Sequence, residues 1–169
     1  MRIWGTESRF LIAPGVPSGL FALACAAFAA CGSASPTGPS EQGSLRLTGR
    51  ISRSVIPAGE TATLTFQLEN PGKDDVTLTF ASACQISPYI ADASGAIVYP
   101  KGGSWACAAV ITDLTVPAGG SKSQEVQVRA AADASSPYVA LAPGEYSAYA
   151  RVRSYSVKLE SAPVRFTVK

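Results

Sequence analysis

Apolar and polar residues alternate with a period of two along most of the chain, and this pattern constrains the fold more than any other feature. In residues 61–69 the apolar side chains all fall on even positions, namely Ala62, Leu64, Phe66 and Leu68. Successive side chains of a β-strand point to opposite faces, whereas a helix would scatter these four around its circumference. Similar alternation returns in residues 76–80, 146–153 and 164–169, with turn residues between. The pattern predicts an all-β sandwich of seven to nine antiparallel strands.

Two groups of turn residues predict how some of these strands connect. Residues 70–75 read Asn-Pro-Gly-Lys-Asp-Asp, so we expect residues 61–81 to form an antiparallel hairpin around a loop of six. Residues 93–95 read Ala-Ser-Gly, which predicts a tight turn between two short strands.

The N-terminus has the order of charges found in secretory leaders. Arg2 and Arg9 precede a stretch without charge that runs from residue 10 to residue 30, as a positive region precedes the apolar region of a signal peptide. Residues 28–31, Phe-Ala-Ala-Cys, resemble the lipobox of bacterial lipoproteins, whose cysteine becomes lipidated. We therefore expect residues 1–30 to be a signal peptide and Cys31 to carry the lipid that anchors the protein to a membrane.

Two alternatives to this interpretation remain open. Cys25 is a second candidate lipid acceptor, although cleavage there would leave five apolar residues at the mature start. An uncleaved transmembrane anchor is the other, because about 20 apolar residues suffice to span a bilayer. Gly32 stands where an Asp retains similar lipoproteins at the inner membrane, so we expect the outer membrane or the cell surface.

Without the leader, 139 residues remain, which suffices for one domain with a tail. Residues 31–43 contain the lipidated cysteine and a tether rich in Gly, Ser and Pro, and residues 44–169 form the predicted domain. The mature chain has 12 basic and 11 acidic residues, a formal charge of +1. This balance predicts no nucleic-acid partner.

The chain contains no histidine, which excludes the usual Ser-His-Asp and Cys-His catalytic arrangements. Asp74 and Asp75 are adjacent in a turn, where carboxylates serve as turn formers more often than as an acid and base pair. We therefore predict that the protein is not an enzyme, and we expect no cofactor, no metal site and no small-molecule substrate.

Cys84 and Cys107 are the two cysteines left for the mature domain, and an even pair in an exported protein predicts a disulfide. The loop that it closes contains Tyr89, Tyr99 and Trp105, and aromatic side chains on a rigid loop are typical of partner contacts. The alternative is that these aromatic residues belong to the core and that the disulfide only stabilises the fold.

Three further side chains have a structural and a functional interpretation. Arg151 and Arg153 share one face of a predicted strand. They are candidate contacts for an acidic partner or for anionic headgroups, or else they form a solvated strand edge. Tyr146, near the start of that strand, is a candidate ligand contact, but its position favours a tyrosine corner, in which the hydroxyl bonds to backbone.

Four local patterns resemble the BsuPI domain of bacterial intracellular proteinase inhibitors. They are Leu64–Asn70 followed by Val76–Phe80, then Asp92–Tyr99, Leu114–Gly120 and Pro143–Tyr146. Together the four patterns cover about residues 45–168. The resemblance implies an immunoglobulin-like sandwich and a protein partner, with a proteinase as the candidate. The alternative function is a structural or assembly module of the bacterial cell envelope without inhibitory activity.

Overall fold

The computed structural model describes residues 40–133 and 135–169. Over these residues the protein is all-β, as the alternation predicts, with 13 strands and no helix. The strands are β1 (Ser40–Gln42), β2 (Leu45–Ile51), β3 (Val55–Ile56), β4 (Thr61–Glu69), β5 (Val76–Phe80), β6 (Ile86–Asp92), β7 (Ile97–Tyr99), β8 (Thr112–Val116), β9 (Ser121–Ala130), β10 (Tyr138–Leu141), β11 (Gly144–Arg153), β12 (Lys158–Glu160) and β13 (Val164–Val168).

Five strands form the first sheet, in the order β1-β2-β4-β9-β10. The central strand is β4, in which Leu64 lies opposite Ile51 of β2 and Val126 of β9. Its even-numbered apolar side chains are all buried, as the alternation predicts. The odd-numbered side chains, apart from Thr65, are exposed or half-buried.

Six strands form the second sheet, in the order β3-β13-β11-β6-β7, with β12 also paired to β11. Within it Ala148 of β11 lies opposite Ile90 of β6 and Val164 of β13. Strands β5 and β8 form a separate antiparallel ribbon.

One continuous cluster of buried apolar side chains contains residues from both sheets and from the ribbon. Phe66 of β4, Ile90 of β6 and Val152 of β11 are fully enclosed within it. A Cβ atom at Gly49 of β2 would lie 2.9 Å from the Phe66 ring and 2.9 Å from Val164. Glycine at this position therefore allows the strand to approach the core closely.

The structure has more strands than the predicted seven to nine, and two of its strand pairs are parallel. Four strands contain three residues or fewer and are too short to show alternation. Strand β10 runs parallel to β9, and β3 runs parallel to β13. Alternation specifies which face of a strand is buried but carries no information on the direction of its neighbour.

The hairpin predicted for residues 61–81 is wrong. Strand β4 pairs with β2 and β9, whereas β5 pairs only with β8. Residues 70–75 therefore carry the chain from the first sheet to the ribbon instead of reversing it within one sheet. The turn predicted at residues 93–95 does join two paired antiparallel strands, β6 and β7.

The folded domain begins before the predicted boundary at residue 44. Residues 40–42, which the sequence predicts as part of the tether, form β1 and pair with Leu45–Leu47 of β2. The predicted signal peptide (residues 1–30), Cys31 and most of the tether lie outside the described residues. Within the described residues, no helix has the length and apolar character needed to cross a membrane.

Candidate functional site

Cys84 and Cys107 form a disulfide in the structure, with their Cα atoms 5.6 Å apart. Cys84 comes shortly before β6, and Cys107 lies in an irregular stretch that leads to β8. The bond therefore joins the segment before β6 of the second sheet to the segment before β8 of the ribbon. The chain between them contains the three aromatic residues that the sequence predicts as partner contacts.

Trp105 and Tyr99 pack against each other within this disulfide loop. Their rings meet edge to face, with centroids 5.2 Å apart, and Trp105 donates a hydrogen bond from Nε1 to the Pro88 carbonyl oxygen at 3.0 Å. Both side chains are half-buried, and burial raises the pKa of the Tyr99 hydroxyl above its ordinary value. Both rings are thus already packed, and only part of each is accessible to a partner.

Tyr89 lies on the outer face of the second sheet, because Pro88 and Ile90 on either side of it are buried. Its ring stacks on that of Tyr149, directly opposite on β11, with centroids 5.3 Å apart. The Arg151 guanidinium lies 4.9 Å from the centroid of Tyr89 and 5.1 Å from that of Tyr149.

Arg151 is held on these rings by an acidic neighbour. Its Nε donates a hydrogen bond to Glu160 Oε2 at 2.6 Å, and this hydrogen bond raises the pKa of the guanidinium above its ordinary value. Burial raises the pKa of the Tyr149 hydroxyl. The outer face thus has a preassembled group of two tyrosines, one arginine and one glutamate, which we call the Tyr89 cluster.

The five predicted contacts do not form one surface. Tyr89 and Arg151 belong to the Tyr89 cluster, whereas Tyr99 and Trp105 pack within the disulfide loop and Tyr99 contacts the core. Arg153 is exposed beyond the cluster, opposite Lys158.

The tyrosine corner predicted at Tyr146 is present. The Tyr146 hydroxyl donates a hydrogen bond to the Ala142 carbonyl oxygen at 2.8 Å, and its ring stacks on Phe166 with centroids 5.6 Å apart. Burial, and secondly the negative charge of Asp92, raise the pKa of this hydroxyl. The structural interpretation of Tyr146 therefore accounts for the residue.

Residues 106–111 form an exposed apolar segment that sequence reasoning did not single out. The segment reads Ala-Cys-Ala-Ala-Val-Ile, and the Val110 and Ile111 side chains are 51% and 68% exposed. The sequence signal is the absence of alternation between Cys107 and Ile111, immediately before β8. The strand begins only at Thr112.

A cavity of about 300 Å³ lies next to Cys84, between residues 83–88 and the start of β9. Trp105 and Leu114 contribute apolar walls, and Lys122 is the one charged residue that lines it. Among the described residues, no group of three or more His, Cys, Asp or Glu side chains could hold a metal ion.

Comparison with known proteins gives a family and a set of distant structural likenesses. A family model described as BsuPI, intracellular proteinase inhibitor, matches residues 50–157. This range contains both bridging cysteines, the segment 106–111, Tyr89 and Arg151. No curated protein matches the chain.

Three of the solved structures that resemble the protein are remote in sequence. A β-glucosidase from Erythrobacter marinus shares 15% identity at a TM-score of 0.42, over 75% of this chain and 15% of that one. The alkylpurine DNA glycosylase AlkC of Pseudomonas fluorescens shares 16% identity at a TM-score of 0.41, over 75% of this chain and 30% of that one. The C-terminal domain of Wzt shares 8% identity at a TM-score of 0.42, over 76% of this chain and 75% of that one.

Proposed function

The chain belongs to the BsuPI family of intracellular proteinase inhibitors, and from this membership we propose that it binds a proteinase and inhibits it. The observation that carries the proposal is the family match over residues 50–157. That range includes most of both sheets, the disulfide loop and the exposed segment beside it.

The organisation of the surface supports a binding role. The rings of the Tyr89 cluster and of the disulfide loop are already packed on one another in the free protein. Binding surfaces that are ordered in advance lose less conformational entropy on association, and proteinase inhibitors as a class change little in backbone conformation when they bind.

We further propose that this inhibitor works outside the cytoplasm, anchored through a lipid on Cys31. The apolar stretch that ends in Phe-Ala-Ala-Cys at residues 28–31 supports export and lipidation. The Cys84–Cys107 disulfide supports the same compartment, because structural disulfides persist mainly in oxidising environments. The proteinase would then be one that is met at the cell envelope.

An inhibition assay tests the proposal. The purified full chain is titrated against serine, cysteine and metallo-proteinases, and we expect one class to lose activity at a 1:1 molar ratio. Gel analysis of the same samples must show the chain largely intact, which separates inhibition from competition by a degradable substrate. Undiminished activity of every proteinase at a large molar excess of the chain would contradict the proposal.

A further inference from the structure

Residues 106–111 expose a run of apolar side chains. Among the described residues five large apolar side chains are exposed, and Val110 and Ile111 are the two that are adjacent in sequence. Ala106, Ala108 and Ala109 in the same segment are also exposed. A run of exposed apolar residues is a candidate contact site.

The backbone of this segment is fixed although its side chains are exposed. Cys107 is bonded to Cys84, and the Ala108 carbonyl oxygen accepts hydrogen bonds from the backbone N–H groups of Ala83 at 3.0 Å and Val110 at 2.9 Å.

The far end of the segment is held as well. The Thr112 hydroxyl donates a hydrogen bond to the Ser82 carbonyl oxygen at 2.8 Å. The segment is thus tied to residues 82–84 through Cys107, Ala108 and the adjoining Thr112. Its conformation is set before any partner arrives, which reduces the entropy cost of binding.

We propose that residues 108–111 are the segment that enters the active-site cleft of the inhibited proteinase. The inference rests on the proposed inhibitory function and adds the surface and the kind of proteinase. Proteinases select their partners by the side chains that fill the pockets along the cleft. Residues 108–111 offer Ala, Ala, Val and Ile, with neither a charge nor an aromatic ring.

This composition specifies the pocket of the partner. A primary pocket lined by a carboxylate requires a basic side chain, and a deep apolar slot favours an aromatic one, whereas a small apolar pocket of the elastase type accepts Ala or Val. The partner is therefore an endoproteinase with a small apolar primary pocket.

The test compares two exposed valines within the full chain. Val110→Asp places a charge on the proposed contact segment, and Val55→Asp makes the same change at a valine that is 43% exposed on β3, at the edge of the second sheet away from β7. Each variant and the unchanged chain are titrated against elastase-type, trypsin-type and chymotrypsin-type proteinases. Circular dichroism and non-reducing mass spectrometry verify the fold and the disulfide.

We expect the unchanged chain to inhibit the elastase-type enzyme most strongly. Val110→Asp should raise the inhibition constant Ki by about 30-fold or more, as loss of a hot-spot residue does, and Val55→Asp should change it by less than about twofold. Ile111→Asp is a second variant on the segment and should behave like Val110→Asp.

The remaining outcomes separate the two proposals. Inhibition that is equally strong in Val110→Asp and Ile111→Asp, or that is confined to trypsin-type enzymes, overturns the contact segment and leaves the inhibitory function standing. Absence of inhibition by the unchanged chain overturns both. A separate outcome is a dimer in sedimentation that Val110→Asp dissociates. The segment would then be an interface between two copies of the chain, and the proposal that it enters a proteinase cleft would be wrong.

Discussion

At the scale of single residues, Asn70 explains how the chain passes from β4 to β5. It is the one asparagine of the chain and is fully buried. Its Nδ2 donates hydrogen bonds to the carbonyl oxygens of Asp74 at 2.8 Å and Val116 at 3.0 Å. Its Oδ1 accepts hydrogen bonds from Gly72 N at 3.1 Å and Ser44 Oγ at 3.0 Å. One amide thus connects the loop after β4, the end of β8 and the start of β2.

We expect Asn70→Ala to lower the free energy of unfolding by about 3 kcal/mol, because buried backbone groups would lose their partners. Gln67→Ala is the matched control, since Gln67 bonds to Ser121 at the exposed surface, and it should cost less than about 0.5 kcal/mol. Urea unfolding followed by tryptophan fluorescence measures both. Equal stability of the two variants would show that the Asn70 hydrogen bonds do not hold the connection.

Tyr146 links stability to alkaline pH. Because burial and then Asp92 raise its pKa in the folded state, folding favours the neutral phenol over the phenolate. This contribution is fully present below the unfolded-state pKa of about 10 and is lost as the pH rises from there through the higher folded-state pKa.

We therefore expect Tyr146→Phe to lower the free energy of unfolding by about 1 kcal/mol at pH 7, through loss of the bond to Ala142. The variant should also lose less stability than the unchanged chain between about pH 9 and pH 11. Tyr155→Phe, at a side chain that is 68% exposed, is the control and should match the unchanged chain. Urea unfolding across this pH range makes the comparison, and parallel pH profiles for all three proteins would refute the linkage.

At the scale of elements, the sequence predicts which face of a strand is buried better than it predicts which strand pairs with it. The buried apolar side chains of β4 and β11 follow from alternation alone, because a period of two places them all on one face. The partner of β5 does not follow, since its apolar face could be buried next to β4 or next to β8. Asn70 favours pairing with β8, because it donates a hydrogen bond to the Val116 carbonyl oxygen at the end of β8, 46 positions further along the chain.

In the candidate site, too, some features follow from the sequence and others depend on strand pairing and packing. The Cys84–Cys107 pair could be predicted because only these two cysteines remain after Cys25 and Cys31 are assigned to the N-terminus. The grouping of Tyr89 with Arg151 could not be predicted, because it depends on the strand register that places Tyr89 opposite Tyr149. The exposure of Val110 and Ile111 was also missed, since a short apolar run predicts a buried strand unless its packing is known.

The disulfide is the element that holds the apolar segment in place, and its loss should affect both stability and inhibition. The bond joins residues 23 positions apart, for which the chain-entropy relation gives about 3 kcal/mol. We expect a mild reductant to lower the free energy of unfolding by about this amount and to weaken inhibition. A Cys84→Ala, Cys107→Ala double variant should start at the lower stability and not respond to the reductant. Unchanged stability of the native chain after verified reduction would contradict this expectation.

At the scale of the whole molecule, the early start of the domain limits how far it can stand from its proposed anchor. Strand β1 begins at Ser40, so eight residues separate Cys31 from the first strand. Even fully extended, eight residues span no more than about 29 Å. A lipid on Cys31 would therefore hold the domain close to the membrane surface, and a proteinase bound by it must be reachable there.

The anchor is tested by comparing the cysteines at the N-terminus. We expect Cys31→Ser to release the protein from the membrane fraction of a two-membrane bacterium and to abolish labelling by a fatty-acid precursor. The variant lacks the proposed acceptor of the acyl chains, and two or more such chains are needed for stable anchoring. Cys25→Ser should remain anchored and labelled, since residue 25 would leave with the leader. Release by Cys25→Ser instead would identify Cys25 as the acceptor, and membrane retention of both variants without label would favour an uncleaved anchor. The Ki of the released Cys31→Ser protein should equal that of the anchored chain, because the substituted cysteine precedes the folded domain by nine positions.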